Sequence, residues 1–376
     1  MSEYQYYEFR AIDRPLAEKE MRTLRSYSTR AVITPTSFTN HYEWGNFKGD
    51  PDAWMDKYFD AFLYFANWGT RIAKLRLPST VLPLETVEQY CPGEYFSARV
   101  KAGNVILSLV SEDEEQEDEF YSEDDCLSSL VPIRAELAGG DFRALYLGWL
   151  LAVQAGEVDD DETEPPVPPG LDELSLTLQT LAGFLGLNCH LLTAAAQASG
   201  KAVDETQDRE AIIQWVTKLD PREKDDVLVT LITGERSHLG SELLARFRRE
   251  RRDEAASTIP RRTVRELKRL AEEHRQKTEA RAAQALARRK REVEAARLKY
   301  IDGLAGQETE LWATVEKLIA TRQPNRYDEA VRILTDLRDL SENRGREDFT
   351  TRLQRLRAKH AHKPSLLTRL KKLGHC

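Results

Sequence analysis

The stretch that decides the fold runs from Arg246 to Tyr300: RFRRERRDEAASTIPRRTVRELKRLAEEHRQKTEARAAQALARRKREVEAARLKY. It consists mostly of Arg, Lys, Glu and Ala, which are strong helix formers. After Pro260, neither glycine nor proline interrupts it. The composition therefore predicts a long, charged, basic helix over residues 253–300. We call residues 246–299 the basic arm.

Periodicity indicates that the arm is solvated. Val264, Leu267 and Leu270 form one short apolar stripe, and beyond it only isolated large apolar residues remain. A coiled coil requires apolar a and d positions over three or four heptads. Opposite charges four residues apart, such as Arg288 and Glu292, support an exposed helix instead. We expect the arm to pack only at its two ends.

The charge of the arm allows two interpretations. It carries about ten more basic than acidic side chains, whereas the whole chain has a formal net charge of −8. A basic helix can contact phosphate backbones. The alternative, which we favour because the rest of the chain is strongly acidic, is docking on the protein's own acidic segments. The candidate nucleic-acid or partner-binding residues are Arg261, Arg262, Arg265, Lys268, Arg288, Arg289, Lys290 and Arg291.

Length and composition limit the class of protein. The chain has 376 residues, 41% hydrophobic and 31% charged, which predicts a soluble protein of two or three domains. No apolar run is long enough to span a membrane, and the charged N-terminus lacks the core of a signal peptide. The four cysteines lack metal-ligand spacing. We therefore expect a cytoplasmic protein without a metal or cofactor.

The first 80 residues predict an α+β fold. Pro35 breaks the chain after one strand, and Asp50 with Pro51 begins a helix. The order strand, helix, strand, strand, helix, strand is that of a ferredoxin-like, split βαβ unit. A hairpin turning at Ala102-Gly103-Asn104 extends the sheet. The predicted elements are strands at 4–12, 30–34, 38–44 and 70–77, and helices from Pro15 and over 50–67.

Composition changes along the chain suggest domain boundaries. An acidic run precedes two helical patterns, and EVDDDETEPPVPPG is acidic and proline-rich, as linkers are. The predicted parts are an α+β domain (1–111), an acidic loop with two helices (112–156), a linker (157–170), a helical domain (171–252), the charged helix (253–300) and a helical-hairpin module (301–376).

Two segments show a family resemblance. YDEAVRILTDLRDL…F…RLQRLRAKHAHKPSLLTRL resembles the helical tail of many bacterial proteins, including some with SWIM-type zinc fingers. YYEFRAIDRPL, ITPTSF, FKGDP and FDAFLYFANWGT are similar to an uncharacterised bacterial family. The resemblance implies a bacterial cytoplasmic origin and a helical interaction tail. The SWIM zinc ligands, C-x-C…C-x-H, are absent here, so it implies no metal.

Motifs for catalysis are missing from the sequence. It contains no phosphate loop, no dinucleotide-binding glycine pattern and no nucleophile elbow. The most concentrated polar and aromatic stretch runs from Asn40 to Trp68. It provides the candidate pocket residues His41, Tyr42, Trp44, Lys48 and Asp50. The alternative for that stretch is an aromatic helix packed on a sheet, which we favour.

These observations predict a non-enzymatic protein-interaction or scaffold protein of a bacterial multi-protein system. Protein partners are expected through residues 301–376, because stacked helix pairs commonly present binding surfaces. One alternative is nucleic-acid binding through the basic arm. The other is an enzyme with a site in the N-terminal domain. No membrane association is expected, and the sequence leaves the oligomeric state open.

Overall fold

The computed structural model describes residues 4–113, 127–201, 205–233, 239–255, 261–344 and 348–371, without the side chains of 205–208, 241, 249 and 251–255. The chain forms two compact units, Met1–Lys277 and Thr278–Cys376. We call them the N-terminal unit and the C-terminal unit. The six-part division expected from the sequence stays a prediction.

Seven strands form one sheet in the N-terminal unit, in the order β2-β3-β1-β4-β5-β7-β6. All neighbouring strands are antiparallel. With the helices that follow, this confirms the α+β class. The strands are β1 (Gln5–Arg10), β2 (Val32–Thr34), β3 (Ser37–Tyr42), β4 (Ala61–Ala66), β5 (Thr70–Pro78), β6 (Phe96–Lys101) and β7 (Asn104–Glu112).

Helices cover both faces of this sheet. The helices of the N-terminal unit are α1 (Glu18–Tyr27), α2 (Pro51–Lys57), α3 (Leu84–Glu88), α4 (Ile133–Ala138), α5 (Arg143–Ala155), α6 (Leu176–Phe184), α7 (Cys189–Ala196), α8 (Glu205–Lys218), α9 (Pro221–Thr233), α10 (Leu239–Ala255) and the start of α11 (Val264–Gly303). Leu24 of α1 and Trp54 of α2 lie in an aromatic core on one face. Helices α4 to α7 share a larger core with the other face.

The predicted strand at 70–77 and the predicted hairpin are confirmed. In β5, buried and half-buried residues alternate, as expected of a strand with one face in the core. The hairpin β6–β7 turns at Ala102 and Gly103, which have φ angles of 50° and 76°. Helix α5, the second of the two helices predicted within residues 112–156, packs so closely on β6 that a Cβ on Gly148 would lie 2.7 Å from the Phe96 ring.

The predicted helix over 50–67 is wrong in its second half. Asp50 does cap α2, accepting hydrogen bonds from the backbone N–H groups of Asp52 (2.9 Å) and Ala53 (3.2 Å). The helix ends at Lys57, however, and residues 61–66 form β4. All six residues of β4 are buried, alternately in the two cores. The aromatic run is therefore a central strand.

The long helix is confirmed, with a later start than predicted. Helix α11 begins at Val264, whereas residues up to Ala255 belong to α10. Residues 256–260 lie outside the described residues. Val264 and Leu267 are fully buried in the core of the N-terminal unit, so the short apolar stripe serves to anchor the first turns of α11.

The C-terminal unit is helical and has its own core. After the end of α11, it contains α12 (Glu308–Ala320), α13 (Pro324–Asn343), α14 (Asp348–Lys359) and α15 (Pro364–Lys371). Leucines and isoleucines from these helices pack around Leu334 and Tyr327 of α13. Within the described ranges of the whole chain, no helix is both long and apolar enough to cross a membrane.

Candidate functional site

The residues of the basic arm at the start of α11 are bound to the acidic linker, and the first contact is a buried ion pair made by Arg262. Arg262 donates to Glu164 from Nε (2.8 Å) and Nη2 (2.9 Å), and the Tyr146 hydroxyl donates to the same carboxylate (3.0 Å). The Glu164 side chain is 2% exposed. Burial opposes the charge of Arg262, but its hydrogen bonds to Glu164 outweigh burial and raise its pKa. The Arg262 guanidinium is therefore used in an ion pair within the protein.

The next two basic positions also face the linker. Arg265 pairs with Asp161 at 2.9 Å, and Lys268 pairs with Asp160 at 2.8 Å. Backbone hydrogen bonds reinforce this contact, since the Val264 N–H donates to the Glu162 carbonyl (2.9 Å). Docking on the protein's own acidic residues, one of the two interpretations of the arm, thus describes residues 262–268. Arg261 is exposed beside them.

Farther along, the arm is open to solvent. Every residue from 275 to 296 is exposed, over about six helical turns. Arg288 pairs with Glu292 at 2.7 Å on the helix surface. Among the described residues, no ion pair is recorded for Arg289, Lys290 or Arg291. This part of α11 therefore offers a small cluster of available positive charge.

The end of α11 is held within the C-terminal unit. Arg297 pairs with Asp336 and with Asp339 of α13, both at 2.6 Å. The Tyr300 hydroxyl donates to Asp336 at 3.2 Å. The expected packing of the arm at both ends, with a solvated middle, agrees with these contacts.

The candidate pocket residues of the N-terminal domain are not brought together. His41 is exposed and stacks on Tyr4, with ring centroids 6.4 Å apart. Its neighbour Tyr42 packs edge-on against Tyr7 at 5.8 Å, and burial raises the pKa of Tyr42. Adjacent residues of a strand point to opposite faces. These two side chains therefore have separate surroundings.

The other three candidates have individual roles as well. Trp44 is exposed, with the guanidinium carbon of Arg30 5.8 Å from its ring centroid. Asp50 uses its carboxylate to cap α2, and Lys48 is exposed. In the described part of the chain, no group of three or more His, Cys, Asp or Glu residues could hold a metal ion. The pocket stays a prediction from the sequence. The places of its five candidate residues in the structure do not support it.

Exposed aliphatic side chains are concentrated on α8 and α9. None of the residues of α9 is buried. Ile232 is 83% exposed and Leu231 is 62% exposed. We define the aliphatic surface as the exposed residues Leu228, Val229, Leu231 and Ile232 of α9; Ile213 and Val216 of α8 are also exposed.

The helices α8 to α10 contact one another through aromatic and charged side chains. Trp215 of α8 packs edge-on against Phe247 of α10, with centroids 5.7 Å apart. Its indole N–H donates to Glu250 at 2.6 Å, and Arg246 lies over its ring. Arg246 also pairs with Glu223 of α9. The aliphatic surface is therefore presented by a helix that already has contacts within its unit.

Comparison with known proteins gives no match, whether to protein-family models, to curated proteins or to solved structures. The resemblance of the C-terminal helices to bacterial helical tails accordingly stays an expectation from the sequence.

Proposed function

We propose that this chain is a non-enzymatic protein-interaction protein, acting as a scaffold for a multi-protein system in the bacterial cytoplasm. The observation that carries the proposal is the aliphatic surface of α9. Large apolar patches on soluble proteins mark interaction sites. Fully burying one such side chain contributes about 1.5–3 kcal/mol, so even a few of these residues would supply substantial binding energy.

The pattern on α9 fits a protein partner. Leu228, Leu231 and Ile232 lie at i, i+3 and i+4, and therefore share one face of the helix. Val229 extends that face, again at i and i+3 with Ile232. A face of this kind packs against the apolar stripe of another helix. An amphipathic helix of a partner protein is the expected occupant.

Photo-crosslinking tests this proposal. A photoreactive phenylalanine analogue is placed at Ile232, and the chain is crosslinked in the cells that naturally produce it. We expect one discrete adduct, whose partner protein is identified by mass spectrometry. Leu176 is the matched control position, because it is 79% exposed on another helix of the same unit. The purified partner should bind the full chain, and Ile232→Asp should weaken binding at least about tenfold.

Since α9 buries none of its residues, Ile232→Asp should leave the unfolding transition unchanged. A diffuse pattern at position 232, the same adducts at position 176, or a purified partner that binds the variant equally well would overturn the assignment of the aliphatic surface.

A second candidate function, nucleic-acid binding, has one observation in its favour. The open part of the arm places Arg288, Arg289, Lys290 and Arg291 together in solvent. The acidic remainder of the chain opposes it. Residues 262–268 of the arm provide few free charges for nucleic acid, because Arg262, Arg265 and Lys268 are paired with the linker.

Binding of duplex DNA measured at several salt concentrations tests the second candidate function. If the four basic residues contact phosphates of duplex DNA, log K should fall against log salt with a slope of about −3 to −4. Reversing all four to glutamate should abolish binding, measured by fluorescence anisotropy between about 50 and 200 mM salt. The control reverses four scattered exposed residues, Lys19, Arg22, Lys101 and Lys218. Absence of binding at low salt, or equal loss in both variants, would exclude a site on the arm.

The enzyme alternative lacks a comparable observation, because His41 and Asp50 are each occupied by a separate structural contact.

We further propose that the first four strands with α1 and α2 are a ferredoxin-like unit. The support is the element order β-α-β-β-α-β over residues 5–66, together with the spatial order β2-β3-β1-β4. Both helices contribute to the core on the same face of the sheet.

A further inference from the structure

A groove lies between α12 and α14 of the C-terminal unit. Its volume is about 270 Å³, and its walls include Trp312, Glu316, Arg352, Arg355, Leu356 and Lys359. Sites for whole small molecules usually enclose about 300–1,000 Å³. The groove is therefore sized for one large side chain with its neighbours along a peptide.

The floor of the groove is apolar. Leu356 is buried in the core of the unit. Trp312 is half-buried, with its ring centroid 5.8 Å from that of Phe349. A tryptophan face beside a leucine provides contact area for an aromatic or aliphatic side chain. The packing against Phe349 fixes the indole in place before any ligand arrives.

The rim is basic and comes from one face of α14. Arg352, Arg355 and Lys359 follow each other at i, i+3 and i+7, so all three project to the same side. Lys359 pairs with Glu316 at 3.0 Å, and Arg352 pairs with Asp348 at 3.3 Å. Arg355 is exposed, and within the described ranges no ion pair of Arg355 is recorded. The rim thus has an excess of positive charge.

We propose that this groove binds an acidic segment of a partner protein. One large apolar side chain of the segment packs on Trp312 and Leu356, and flanking carboxylates pair with Arg355 and its neighbours. The groove is a second surface for partners, and this assignment rests on the proposed scaffold function.

The test uses the full chain and a fluorescein-labelled synthetic peptide, Glu-Asp-Glu-Leu-Phe-Asp-Glu-Glu, followed by fluorescence anisotropy. We expect micromolar binding. Arg355→Glu should weaken it about tenfold or more, because an attraction becomes a repulsion. Arg332→Glu should change it less than about twofold. Arg332 is the matched control, an exposed arginine on α13 of the same unit.

A second measurement changes the peptide and uses the unaltered protein. A peptide with Ser-Ser in place of Leu-Phe should bind about tenfold more weakly or worse, because the apolar floor is then unused. The proposal is overturned if the two arginine variants weaken binding equally, if the Ser-Ser peptide binds as well, or if no binding is found up to about 1 mM. It is also overturned if a single-stranded oligonucleotide displaces the peptide at lower concentration than unlabelled peptide does.

Failure of this experiment is distinguishable from failure of the proposed function. The aliphatic surface lies in the N-terminal unit, and crosslinking at Ile232 measures it independently of the groove. If the peptide does not bind but crosslinking at Ile232 succeeds, the assignment of the groove is overturned and the proposed function is not.

Discussion

Replacing Glu164 by alanine is expected to lower the free energy of unfolding of the N-terminal unit by about 3–5 kcal/mol. The substitution removes the partner of Arg262, whose side chain is only 16% exposed. A buried charge without a partner carries its full desolvation cost. The Tyr146 hydroxyl loses its recorded acceptor as well.

Urea denaturation followed by tryptophan fluorescence measures this loss. Asp161→Ala is the matched control, because its pair with Arg265 belongs to the same linker but is exposed. An exposed pair of this kind contributes about 0–1 kcal/mol. If Glu164→Ala costs no more than Asp161→Ala, the buried pair does not hold the arm.

A variant that replaces all three side chains of this buried network distinguishes the contribution of charge to stability from the contribution of packing. In a triple variant with Glu164→Leu, Arg262→Met and Tyr146→Phe, no charged or hydroxyl group is left without a partner. We expect it to recover most of the stability lost in Glu164→Ala, as apolar replacements of buried ion pairs often do. A triple variant as unstable as Glu164→Ala would mean that the linker needs these hydrogen bonds for its conformation.

The second large effect is expected at Asp60, which is fully buried and directly precedes β4. Its carboxylate accepts hydrogen bonds from the backbone N–H groups of Ile12 (2.6 Å) and Asp13 (2.9 Å). It also accepts from Arg76 Nη2 at 2.6 Å. An asparagine has the same shape as the aspartate, but its NH₂ group would face the N–H donors that the Asp60 carboxylate now accepts from. We expect Asp60→Asn to cost about 3 kcal/mol at neutral pH.

The pH dependence of this effect has a definite sign. Burial raises the pKa of Asp60, but hydrogen bonds from Asp13, Ile12 and Arg76 outweigh it, so the pKa is lower than usual. An aspartate with a depressed folded pKa stabilises the protein above its unfolded pKa of about 3.9. That contribution is lost as pH falls through the folded pKa.

The difference in stability between the wild-type chain and Asp60→Asn should therefore be constant above about pH 5 and shrink below about pH 4. Urea midpoints measured across this range test it. Asp52→Asn is the comparison, because Asp52 pairs with Lys74 (2.7 Å) but its side chain is 55% exposed. A difference that grows on acidification would contradict the assignment of an ionised Asp60.

The sequence allowed the α+β class to be predicted, but not which element the aromatic run would form. Residues 61–66 (AFLYFA) contribute Leu63 and Phe65 to one core and Phe62 and Tyr64 to the other. A strand buried on both faces has no alternation of polar and apolar residues. Periodicity therefore could not distinguish it from a continuation of α2. In β5, where the alternation was present, the strand was predicted within one residue.

The surfaces differ in how far the sequence predicted them. The sequence suggested that basic residues could dock on the protein's own acids, but Glu164 could be paired with Arg262 only from the structure. The aliphatic surface was missed, although the segment VLVTLI was a signal. Apolar residues at Val227, Leu228, Val229, Leu231 and Ile232 exceed the single stripe that an amphipathic helix needs to pack on its own protein.

The two ends of the sheet have a consequence for association. An antiparallel sheet ends in strands whose free backbone N–H and C=O groups can template a strand from another chain. Here β2, at one margin, has only three residues. At the other margin, β6 carries Arg99 and Lys101, and short or charged edges resist strand addition. Growth of the sheet from molecule to molecule is therefore disfavoured, and the helices are left to form any specific assembly.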